Sequence, residues 1–368
     1  MKIAQIAPLF ESCPPKFYGG TERIVSYLTE ELVQQGHDVT LFASGDSQTS
    51  AKLVACGDMA LRLNPAVKDW LPHYIVMLEQ VRQSADEFDV LHFHVDMVHY
   101  PLIRDFADRT VTTQHGRLDL PDLVPFYKAF PEVPLSSISD HQRLPMPPVT
   151  WAGTVYHGLP EDLLPFSAQP QGGYLAFLGR ISPEKRPDRA IEIATAAGMK
   201  LKMAAKVDKA DQLYWDTVIS PMVAAHPNVE FIGEINEQNK NAFLGEAMGL
   251  LFPIDWPEPF GLVMIEAMAC GTPVLAFRCG SVPEIVDEGV SGMIVETMEE
   301  AIAAVPQLLT MDRRAVRKQF ELRFSSARMA NEYVHLYRRM LHRIGADKFE
   351  TEIAESPTFN IVGNEAIN

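Results

Sequence analysis

The sequence is poor in cysteine and in positive charge. Its 368 residues include four cysteines, Cys13, Cys56, Cys270 and Cys279. They are too few and too scattered for a disulfide scaffold or a CxxC zinc site, so they predict a reduced, cytoplasmic protein. Lys and Arg number 32 against 48 Asp and Glu, which gives a net charge of −16. A nucleic-acid-binding protein normally needs a large basic face, and this balance argues against one.

Long apolar runs are also missing. A membrane-spanning helix needs about 18 or more consecutive apolar residues. The best candidate, Gly261–Phe277, contains Glu266, and prolines interrupt Leu144–Pro160. The N-terminal stretch Met1–Phe10 is short and is followed by Glu11, so it predicts a first strand rather than a signal peptide. We therefore expect no membrane span, so any association with a membrane would be peripheral.

Three familiar phosphate- and metal-binding motifs are absent. The sequence has no GxGxxG, which weakens a dehydrogenase interpretation, and no GxxxxGK[ST], which weakens a kinase or ATPase interpretation. It also has no Asp-x-Asp, so a carboxylate pair that could hold a metal ion against a diphosphate is not evident. We therefore expect no metal site.

The sequence does contain short β-branched runs that alternate with longer amphipathic stretches, the pattern of parallel α/β domains. The predicted strands are Lys2–Ala7, Asp38–Ala43, Val90–His94, Thr110–Gln114, Leu135–Ser139, Val149–Val155, Tyr174–Leu178, Leu201–Lys206, Val229–Ile232, Leu250–Pro253 and Val274–Phe277. The predicted helices are Thr21–Gln35, Asp188–Ala197, Glu237–Met248, Leu262–Ala269 and Met298–Leu309. Thr21 is the expected N-cap of the first helix, and Gly36 is expected to end it. The Pro- and Gly-rich segment Leu159–Gly173 separates two such sets, which predicts two Rossmann-like domains and a linker.

The chain becomes basic and helical after Met311. Nine Lys or Arg residues lie from Arg313 to Arg343, against the three acidic residues Asp312, Glu321 and Glu332. One interpretation is a solvated helix pair, and the other is a patch for an acidic acceptor or a membrane surface. From about Asp347 the pattern loses its period, and residues 347–368 are predicted to form a tail.

Two segments could hold an anion at the carboxyl end of a strand. Gly19 and Gly20 directly precede the first helix, where backbone N–H groups and the helix dipole favour negative charge, although such a pair also serves simply as a tight turn. Arg180 can bind two phosphate oxygens at once, and Lys185 adds a point charge. The alternative for these two cations is surface ion pairing with the nearby residues Glu184 and Asp188.

The strongest signal is a pair of glutamates around a helix start. Glu258 lies in a Pro-flanked loop ahead of the helix, and Glu266 lies inside a helix that is otherwise apolar. An ionised carboxylate in such a helix costs several kcal/mol unless it is partnered. Glu266 must therefore reach water or accept hydrogen bonds, for which sugar and ribose hydroxyl groups are good donors.

Glu258 and Glu266 have the E-x7-E spacing of the retaining GT-B glycosyltransferases of family 4, and the chain resembles this family from residue 1 to about residue 345. Further matches are Gly19-Gly20, Thr113-Gln114-His115-Gly116, Gly179-Arg180 with Lys185, and Pro283-Glu284. Three strings are similar to those of the bacterial avilamycin-type subgroup. They are Thr21-Glu22-Arg23, Phe42-Ala43-Ser44-Gly45-Asp46 and Ile254-Asp255-Trp256-Pro257-Glu258-Pro259-Phe260-Gly261.

The resemblance implies an α/β GT-B fold, in which two Rossmann-like β/α/β domains face a central cleft and a C-terminal helix crosses back to the N-terminal domain. Residues 1–158, with the helix at about 328–346, would form the acceptor domain. Residues 159–327 would form the domain that binds the nucleotide-sugar donor.

The resemblance also implies roles for individual side chains. Arg180 and Lys185 would hold the donor diphosphate and stabilise the leaving group without a metal. Glu266 would accept hydrogen bonds from the ribose, and Glu258 would contact the transferred sugar. His115 would be the active-site histidine that touches the donor sugar, and its structural alternative is a capped histidine at a strand end.

Backbone groups complete the implied donor site. Backbone N–H groups of Phe260, Gly261 and Leu262, at a helix start, would assist Glu258. Backbone groups of Ile232 and Gly233, at the end of a strand, would meet the base. Gly19 and Gly20 would also contact the donor.

This chain departs from the family pattern in places. Many members have Lys-Gly where it has Lys185-Arg186. A strand that often ends in a Gly-rich turn here ends at Lys206, which could replace backbone amides near the phosphates or be an ordinary surface lysine. Asp96 is a candidate acceptor contact near His92 and His94, and a metal interpretation of this group is weak because no third ligand is evident.

The function implied by the resemblance is that of a retaining, metal-independent glycosyltransferase. It would move a sugar from a nucleoside-diphosphate sugar, its donor substrate, to an acceptor hydroxyl without a cofactor. The acceptor would be a carbohydrate, a lipid-linked molecule or a small molecule. The alternatives are another GT-B enzyme, such as a sugar-nucleotide epimerase or a phosphorylase, and a non-catalytic sugar-nucleotide-binding protein.

Overall fold

The structure, a computed structural model, describes residues 1–16 and 19–355. The first sheet contains β1 Lys2–Ile6, β2 Asp38–Ala43, β3 Lys52–Ala55, β4 Val90–Phe93, β5 Thr110–Thr113, β6 Leu135–Ser137 and β7 Trp151–Thr154. The second contains β8 Tyr174–Arg180, β9 Lys200–Lys206, β10 Val229–Gly233, β11 Gly249–Phe252, β12 Val274–Phe277 and β13 Gly292–Val295. Their orders are β3-β2-β1-β4-β5-β6-β7 and β10-β9-β8-β11-β12-β13, with the paired strands parallel. In each sheet the first strand lies inside the sheet, the next two strands are added on one side of it, and the later strands are added on the other side. Sheets with such a change of side bind ligands at the carboxyl ends of their strands.

Helices cover the faces of both sheets. Those of the first domain are α1 Gly20–Gln34, α2 Leu71–Ser84, α3 Tyr100–Ile103 and α4 Leu123–Ala129. They are followed by α5 Pro187–Ala196, α6 Gln212–Tyr214, α7 Ser220–Ala225, α8 Glu237–Gly245, α9 Leu262–Ala269, α10 Val282–Ile285, α11 Met298–Leu308, α12 Arg313–Arg323 and α13 Ser326–Glu355. Within the described ranges, no helix combines the length and the apolar character that crossing a bilayer requires.

The predicted strands are confirmed to within two residues at each end. The sequence missed β3 and β13, which are edge strands of the two sheets. β3 is only partly buried, so it lacks the apolar run by which the inner strands were recognised. The helix α2 was missed as well, because its exposed face carries apolar side chains such as Ile75 and Val76 and blurs the amphipathic pattern.

The ends of α1 show one correct and one incorrect prediction. The helix begins at Gly20 with Gly19 as its N-cap, so the expectation that Thr21 caps it is wrong. Thr21 already lies in the first turn. Gly36 does end the helix: its φ of +82° suits glycine, and its N–H donates to the carbonyl of Val33 at 2.9 Å.

The chain crosses between the domains at two adjacent points. The N–H of Leu159 donates to the carbonyl of Phe324 at 2.9 Å, and the N–H of Ser326 donates to the carbonyl of Leu159 at 2.8 Å. A Cβ on Gly158 would lie 2.2 Å from the carbonyl oxygen of Ser325, so this crossing requires glycine. From here α13 returns to the first domain, as the resemblance implied.

The end of α13 reaches beyond the prediction. The helix continues to Glu355, so residues 347–355 are helical where a tail was expected. The rest of the predicted tail, residues 356–368, lies outside the described residues.

Several arginines of the basic C-terminal segment bond to backbone carbonyls instead of facing solvent. Arg313 is buried, and its guanidinium donates to the carbonyls of Gly245 and Ala247 at 2.9 Å each. Arg317, Arg323 and Arg328 also donate to carbonyl oxygens of preceding segments. For these four side chains both sequence interpretations, a solvated helix pair and a patch for an acidic surface, are wrong. They instead tie α12 and α13 to the rest of the protein.

Candidate active site

The carboxyl edges of the two sheets meet, and the candidate residues lie along them. The ring of His157, which follows the first sheet, is 4.9 Å from the ring of Phe260 in the second domain. A Cβ on Gly20 would lie 3.5 Å from Cδ1 of Leu262. Contacts of this kind bring residues from both halves of the sequence into one region.

The loop that carries Glu258 is held from several sides. Its carboxylate accepts a hydrogen bond from Nε1 of Trp256 at 3.0 Å and contacts the ammonium group of Lys185. Gly280 packs against this loop so closely that a Cβ there would lie 2.4 Å from the backbone nitrogen of Glu258. Gly261, with a φ of +82°, is the N-cap of α9. The side chain of Glu258 is 12% exposed and therefore has a defined position that a ligand can still reach.

Arg180 and Lys206 are partners in the register of β8 and β9, so two of the predicted cations are adjacent at one edge. Arg180 forms ion pairs with Glu184 at 3.0 Å and with Asp208 at 3.6 Å, and Lys206 pairs with Asp208 at 2.9 Å. The sequence alternative of ion pairing with Glu184 is thus observed. The carboxylates surround the cations without covering them, since the side chain of Arg180 remains 34% exposed.

Arg186 explains the departure from the Lys-Gly pattern of the family. Its φ of +52° lies in the left-handed region that favours glycine. The guanidinium is held at 2.7 Å from Asp188 and at 2.8 Å from Asp255. The hydrogen bond that Arg186 donates to Asp188 is the main reason that the pKa of Arg186 is raised. Its two ion pairs therefore hold an arginine in a backbone conformation that glycine would adopt without strain.

Glu266 is buried in α9, and its charge is compensated by a lysine that the sequence did not single out. Nζ of Lys240 lies 2.7 Å from Glu266 and 3.0 Å from Glu237. Burial lowers the pKa of Lys240, but these two carboxylates together raise it above its ordinary value. Arg23 of the first domain also pairs with Glu237, at 2.8 Å. A chain of alternating charges therefore runs from α1 through α8 to Glu266.

His115 follows β5, is half-buried, and lies beside the buried histidines His94 and His157. Its Nε2 lies 2.9 Å from Nδ1 of His94, and its ring is stacked 5.2 Å from that of His157. Burial lowers the pKa of His115 to about 3, so its ring is neutral at physiological pH. The capping alternative is incomplete, because within the described part of the chain Nδ1 of His115 has no hydrogen-bonding partner.

Close packing explains why position 19 is a glycine. A Cβ on it would lie 2.9 Å from Cβ of Pro15 and 3.1 Å from Oε2 of Glu22. Glu11 and Glu22 are both buried beside this turn, and burial raises the pKa of each carboxyl group. Close packing thus accounts for Gly19, and the donor-binding role of Gly19 and Gly20 stays a prediction.

The remaining predicted residues occupy strand ends of either sheet. Ile232 and Gly233 end β10, where Ile232 is exposed and Gly233 has a φ of +77°. Asp96 follows β4 and is exposed. Among the residues that the structure describes, no three His, Cys, Asp or Glu side chains are arranged to hold a metal ion.

Glu284, which the sequence showed only as part of the Pro283-Glu284 match to the family, joins the two domains. Its carboxylate accepts hydrogen bonds from the backbone N–H groups of Asp140 and His141 at 2.7 Å each and from the hydroxyl of Tyr156 at 3.0 Å. These three donors all belong to the N-terminal half of the chain. No local sequence signal could have revealed this contact, because the partners lie more than a hundred positions away.

Comparisons with known proteins agree with this architecture. Residues 166–321 match the family described as Glycosyl transferases group 1, and residues 18–144 match Glycosyltransferase Family 4. A phosphatidyl-myo-inositol mannosyltransferase of Propionibacterium freudenreichii subsp. shermanii is 27% identical over 347 residues, which cover 81% of this chain and 85% of that protein. Together the two family matches span most of the chain.

Solved structures show the same fold at low sequence identity. AviGT4, a glycosyltransferase involved in avilamycin A biosynthesis, superposes with a TM-score of 0.69 at 20% identity over 93% of this chain and 98% of its own. Anabaena HepE, in complex with UDP and glucose, has a TM-score of 0.67 at 17% identity over 91% of this chain and 98% of its own. Two facing, doubly wound domains of parallel strands are the GT-B fold, which these solved structures share. The chain belongs to group 1, family 4 of the glycosyltransferases.

Proposed function

We propose that the protein transfers a sugar from a nucleoside-diphosphate sugar to an acceptor hydroxyl, with retention of anomeric configuration and without a metal ion. The observation that carries the proposal is the contact of Lys185 with Glu258. It places a cation suited to a phosphate next to a carboxylate suited to a sugar. The neighbouring pair Arg180 and Lys206 adds positive charge at the same sheet edge.

In this proposal the two glutamates divide the donor between them. Glu266 accepts hydrogen bonds from the ribose, Arg180 and Lys185 hold the diphosphate, and Glu258 contacts the transferred sugar. Lys206 supports the phosphates, and Asp96 contacts the acceptor. The donor lies against the second domain and the acceptor mostly against the first. The donor and acceptor are substrates, and no cofactor is required.

The proposed step proceeds on one face of the sugar. The bond between the anomeric carbon and the diphosphate oxygen breaks, and the acceptor oxygen forms its bond to that carbon on the same face. The departing phosphate oxygen takes the acceptor proton. Arg180 and Lys185 stabilise the charge on the leaving group, and Glu258 stabilises the positive charge that develops at the anomeric carbon. Close contact of the domains excludes water, which would otherwise hydrolyse the donor.

The first experiment identifies the donor and the stereochemistry. Thermal shifts are measured with UDP-glucose, GDP-mannose, ADP-glucose and dTDP-glucose, because a ligand that binds the folded state raises its melting temperature. UDP-glucose is the first probe, since HepE was solved with UDP and glucose. Slow hydrolysis of the strongest binder is then followed by proton NMR without an acceptor. The sugar should appear first in the anomeric configuration that it had in the donor, and initial release of the opposite anomer would refute retention.

The second experiment tests the phosphate site and the metal independence. Hydrolysis should survive excess EDTA, and a complete loss that magnesium or manganese restores would overturn the metal-independent mechanism.

Lys185→Ala should weaken binding of both the nucleoside diphosphate and the donor, since hydrogen bonds to charged groups contribute about 1.5–3 kcal/mol each. Lys200→Ala is the matched control, because Lys200 is exposed at the opposite end of β9. Equal affinities of the two variants would disprove the phosphate assignment.

A further inference from the structure

A chain of buried side chains leads from the first strand to His115. Oε1 of Gln5, on β1, lies 2.7 Å from Nε2 of His94, which directly follows β4. Nδ1 of His94 in turn lies 2.9 Å from Nε2 of His115. Gln5 and His94 are fully enclosed in the first domain. Neither residue carries a role in the proposed function, so the purpose of this chain needs its own explanation.

The direction of these hydrogen bonds follows from what each atom can do. An amide oxygen only accepts, so Nε2 of His94 must carry the proton. The ring of His94 is neutral, because burial lowers its pKa well below the ordinary value. Its Nδ1 is therefore an acceptor, and Nε2 of His115 must donate to it. The ring of His115 is neutral as well, which leaves its Nδ1 with a bare lone pair.

A second branch of hydrogen bonds is satisfied by this orientation of the Gln5 amide. Nε2 of Gln5 donates to the hydroxyl of Tyr337, on α13, at 3.3 Å. The Tyr337 hydroxyl can then donate to Nδ1 of His92 at 2.6 Å, and Nε2 of His92 donates to the hydroxyl of Thr113 at 2.7 Å. A rotated Gln5 amide would reverse every one of these bonds and would leave a buried N–H without an acceptor at Nδ1 of His115, and unpaired buried N–H groups are rare. The helix α13 therefore contributes to the hydrogen bonding of His115 from inside the first domain.

The bare nitrogen of His115 lies in the region where the two domains meet. The ring of His115 is stacked on that of His157, which contacts the ring of Phe260 in the Glu258 loop. Within the described residues Nδ1 of His115 is buried and has no protein partner. Leaving such an acceptor unpaired costs about 1–3 kcal/mol. A hydroxyl group that arrives with a ligand would remove this cost.

We propose that Gln5 and His94 are positioning residues that hold His115 in the tautomer with its proton on Nε2, so that Nδ1 accepts a hydrogen bond from a hydroxyl of the transferred sugar. The proposal rests on the proposed function and on the role that the family resemblance implies for His115, contact with the donor sugar. A hydroxyl that donates to nitrogen becomes richer in electrons and stabilises the positive charge developing at the anomeric carbon. The opposite tautomer would donate to the hydroxyl and withdraw electron density, so the tautomer affects kcat more than KM.

The tautomer is measured directly by two-bond proton–nitrogen NMR on protein labelled with 15N-histidine, without any substrate. In the wild type, Nδ1 of His115 should be unprotonated and Nε2 protonated, and the signal is assigned by its loss in His115→Gln. Gln5→Leu should give a mixture of tautomers and lower kcat for donor hydrolysis by about tenfold to a hundredfold, with KM changed by less than about threefold. Gln5→Glu should keep the wild-type tautomer, because a carboxylate can only accept.

A second pair of variants avoids changing β1. Tyr337→Phe removes the hydroxyl that holds the Gln5 amide, and it should also give mixed tautomers at His115. Tyr333→Phe is the matched control: its hydroxyl lies 2.9 Å from that of Thr113 at the far end of the branch, so the tautomer should not change. A proton on Nδ1 of His115 in the wild type would overturn the inference, as would a single unchanged tautomer in both Gln5→Leu and Tyr337→Phe. If the NMR result holds but His115→Gln hydrolyses the donor at the wild-type rate, the proposed sugar contact of His115 is wrong and its tautomer assignment stands.

Discussion

Replacing Arg313 by methionine should destabilise the second domain more than any exposed substitution on α12. The guanidinium donates to four carbonyls, of Ser167 at 2.7 Å, of Gly245 and Ala247 at 2.9 Å and of Cys270 at 3.3 Å. It also donates to the hydroxyl of Thr272 at 2.8 Å. Burial is the main cause that lowers the pKa of Arg313. The buried cation therefore depends on oxygen acceptors for its stability.

The expected loss follows from these contacts. Each hydrogen bond to a charged group contributes about 1.5–3 kcal/mol, but removal of the guanidinium also removes the cost of burying it. Methionine fills much of the space and leaves the carbonyls without their donor, at about 1–3 kcal/mol for each one that water cannot reach. We expect a net loss of about 3–5 kcal/mol, which corresponds to roughly two carbonyls left without a donor. For a domain of this size that is a decrease in Tm of about 6–20 °C.

Differential scanning calorimetry on Arg313→Met and Arg314→Met tests this reasoning. Arg314 is the next residue on α12 and is exposed, so its substitution should change stability by no more than about 0.5 kcal/mol. The guanidinium of Arg313 also reaches the carbonyl of Cys270, the C-cap of α9, so the helix that carries Glu266 should loosen with it. If both variants melted at the same temperature, the backbone contacts of Arg313 would contribute nothing to stability.

Two further predictions address the site and the domain contact. Glu258→Gln should keep the affinity for nucleoside diphosphate within a few-fold of wild type but lower turnover by about tenfold to a thousandfold. Glu266→Gln should instead weaken binding of the nucleoside diphosphate, because it weakens the proposed ribose contact and leaves Lys240 with one carboxylate fewer. Calorimetry with the diphosphate and donor turnover measure both effects, and an exchanged pattern would mean that the two roles are exchanged. Glu284→Ala removes an acceptor of three interdomain hydrogen bonds and should increase the radius of gyration in small-angle scattering, while Glu284→Gln, which can still accept, should change it less. Identical scattering of the alanine variant and the wild type would show that this contact does not hold the domains together.

Features with a local signature could be predicted from the sequence. Buried parallel strands are short apolar runs, and Gly36 ends α1 because a positive φ favours glycine at that point. Glu266 could be recognised as a carboxylate that needs either water or a hydrogen-bonding partner, because its helix neighbours are apolar. Each of these inferences uses only residues within one or two turns of the position concerned.

Partners that are distant in sequence could not be predicted in the same way. Lys240 and Glu237 are one helical turn apart and visibly related, but nothing in the sequence shows that this face of α8 lies against α9. The basic segment was misinterpreted for a similar reason. A count of charges cannot show that Arg313 and Arg317 meet backbone carbonyls, because every residue carries a carbonyl and only the fold decides which of them converge.

The burial of the ion pairs distinguishes those that a bound nucleotide-sugar donor can replace from those that it must leave intact. Glu184 and Asp208, two partners of Arg180, are 35% and 30% exposed, and such pairs are worth no more than about 1 kcal/mol. Asp211 is less exposed, at 16%, but it lies farther from Arg180, at 3.8 Å. A diphosphate that forms charged hydrogen bonds of about 1.5–3 kcal/mol each can displace them into water. The pair of Lys240 and Glu266 is only 13% and 7% exposed, and breaking it would cost about 3–5 kcal/mol. A carboxylate has lone pairs for more than one donor, so a neutral ribose hydroxyl can join this pair without displacing the lysine. At the proposed phosphate site the diphosphate therefore replaces the carboxylates that pair with Arg180. At the proposed ribose site the hydroxyl joins an ion pair that stays intact.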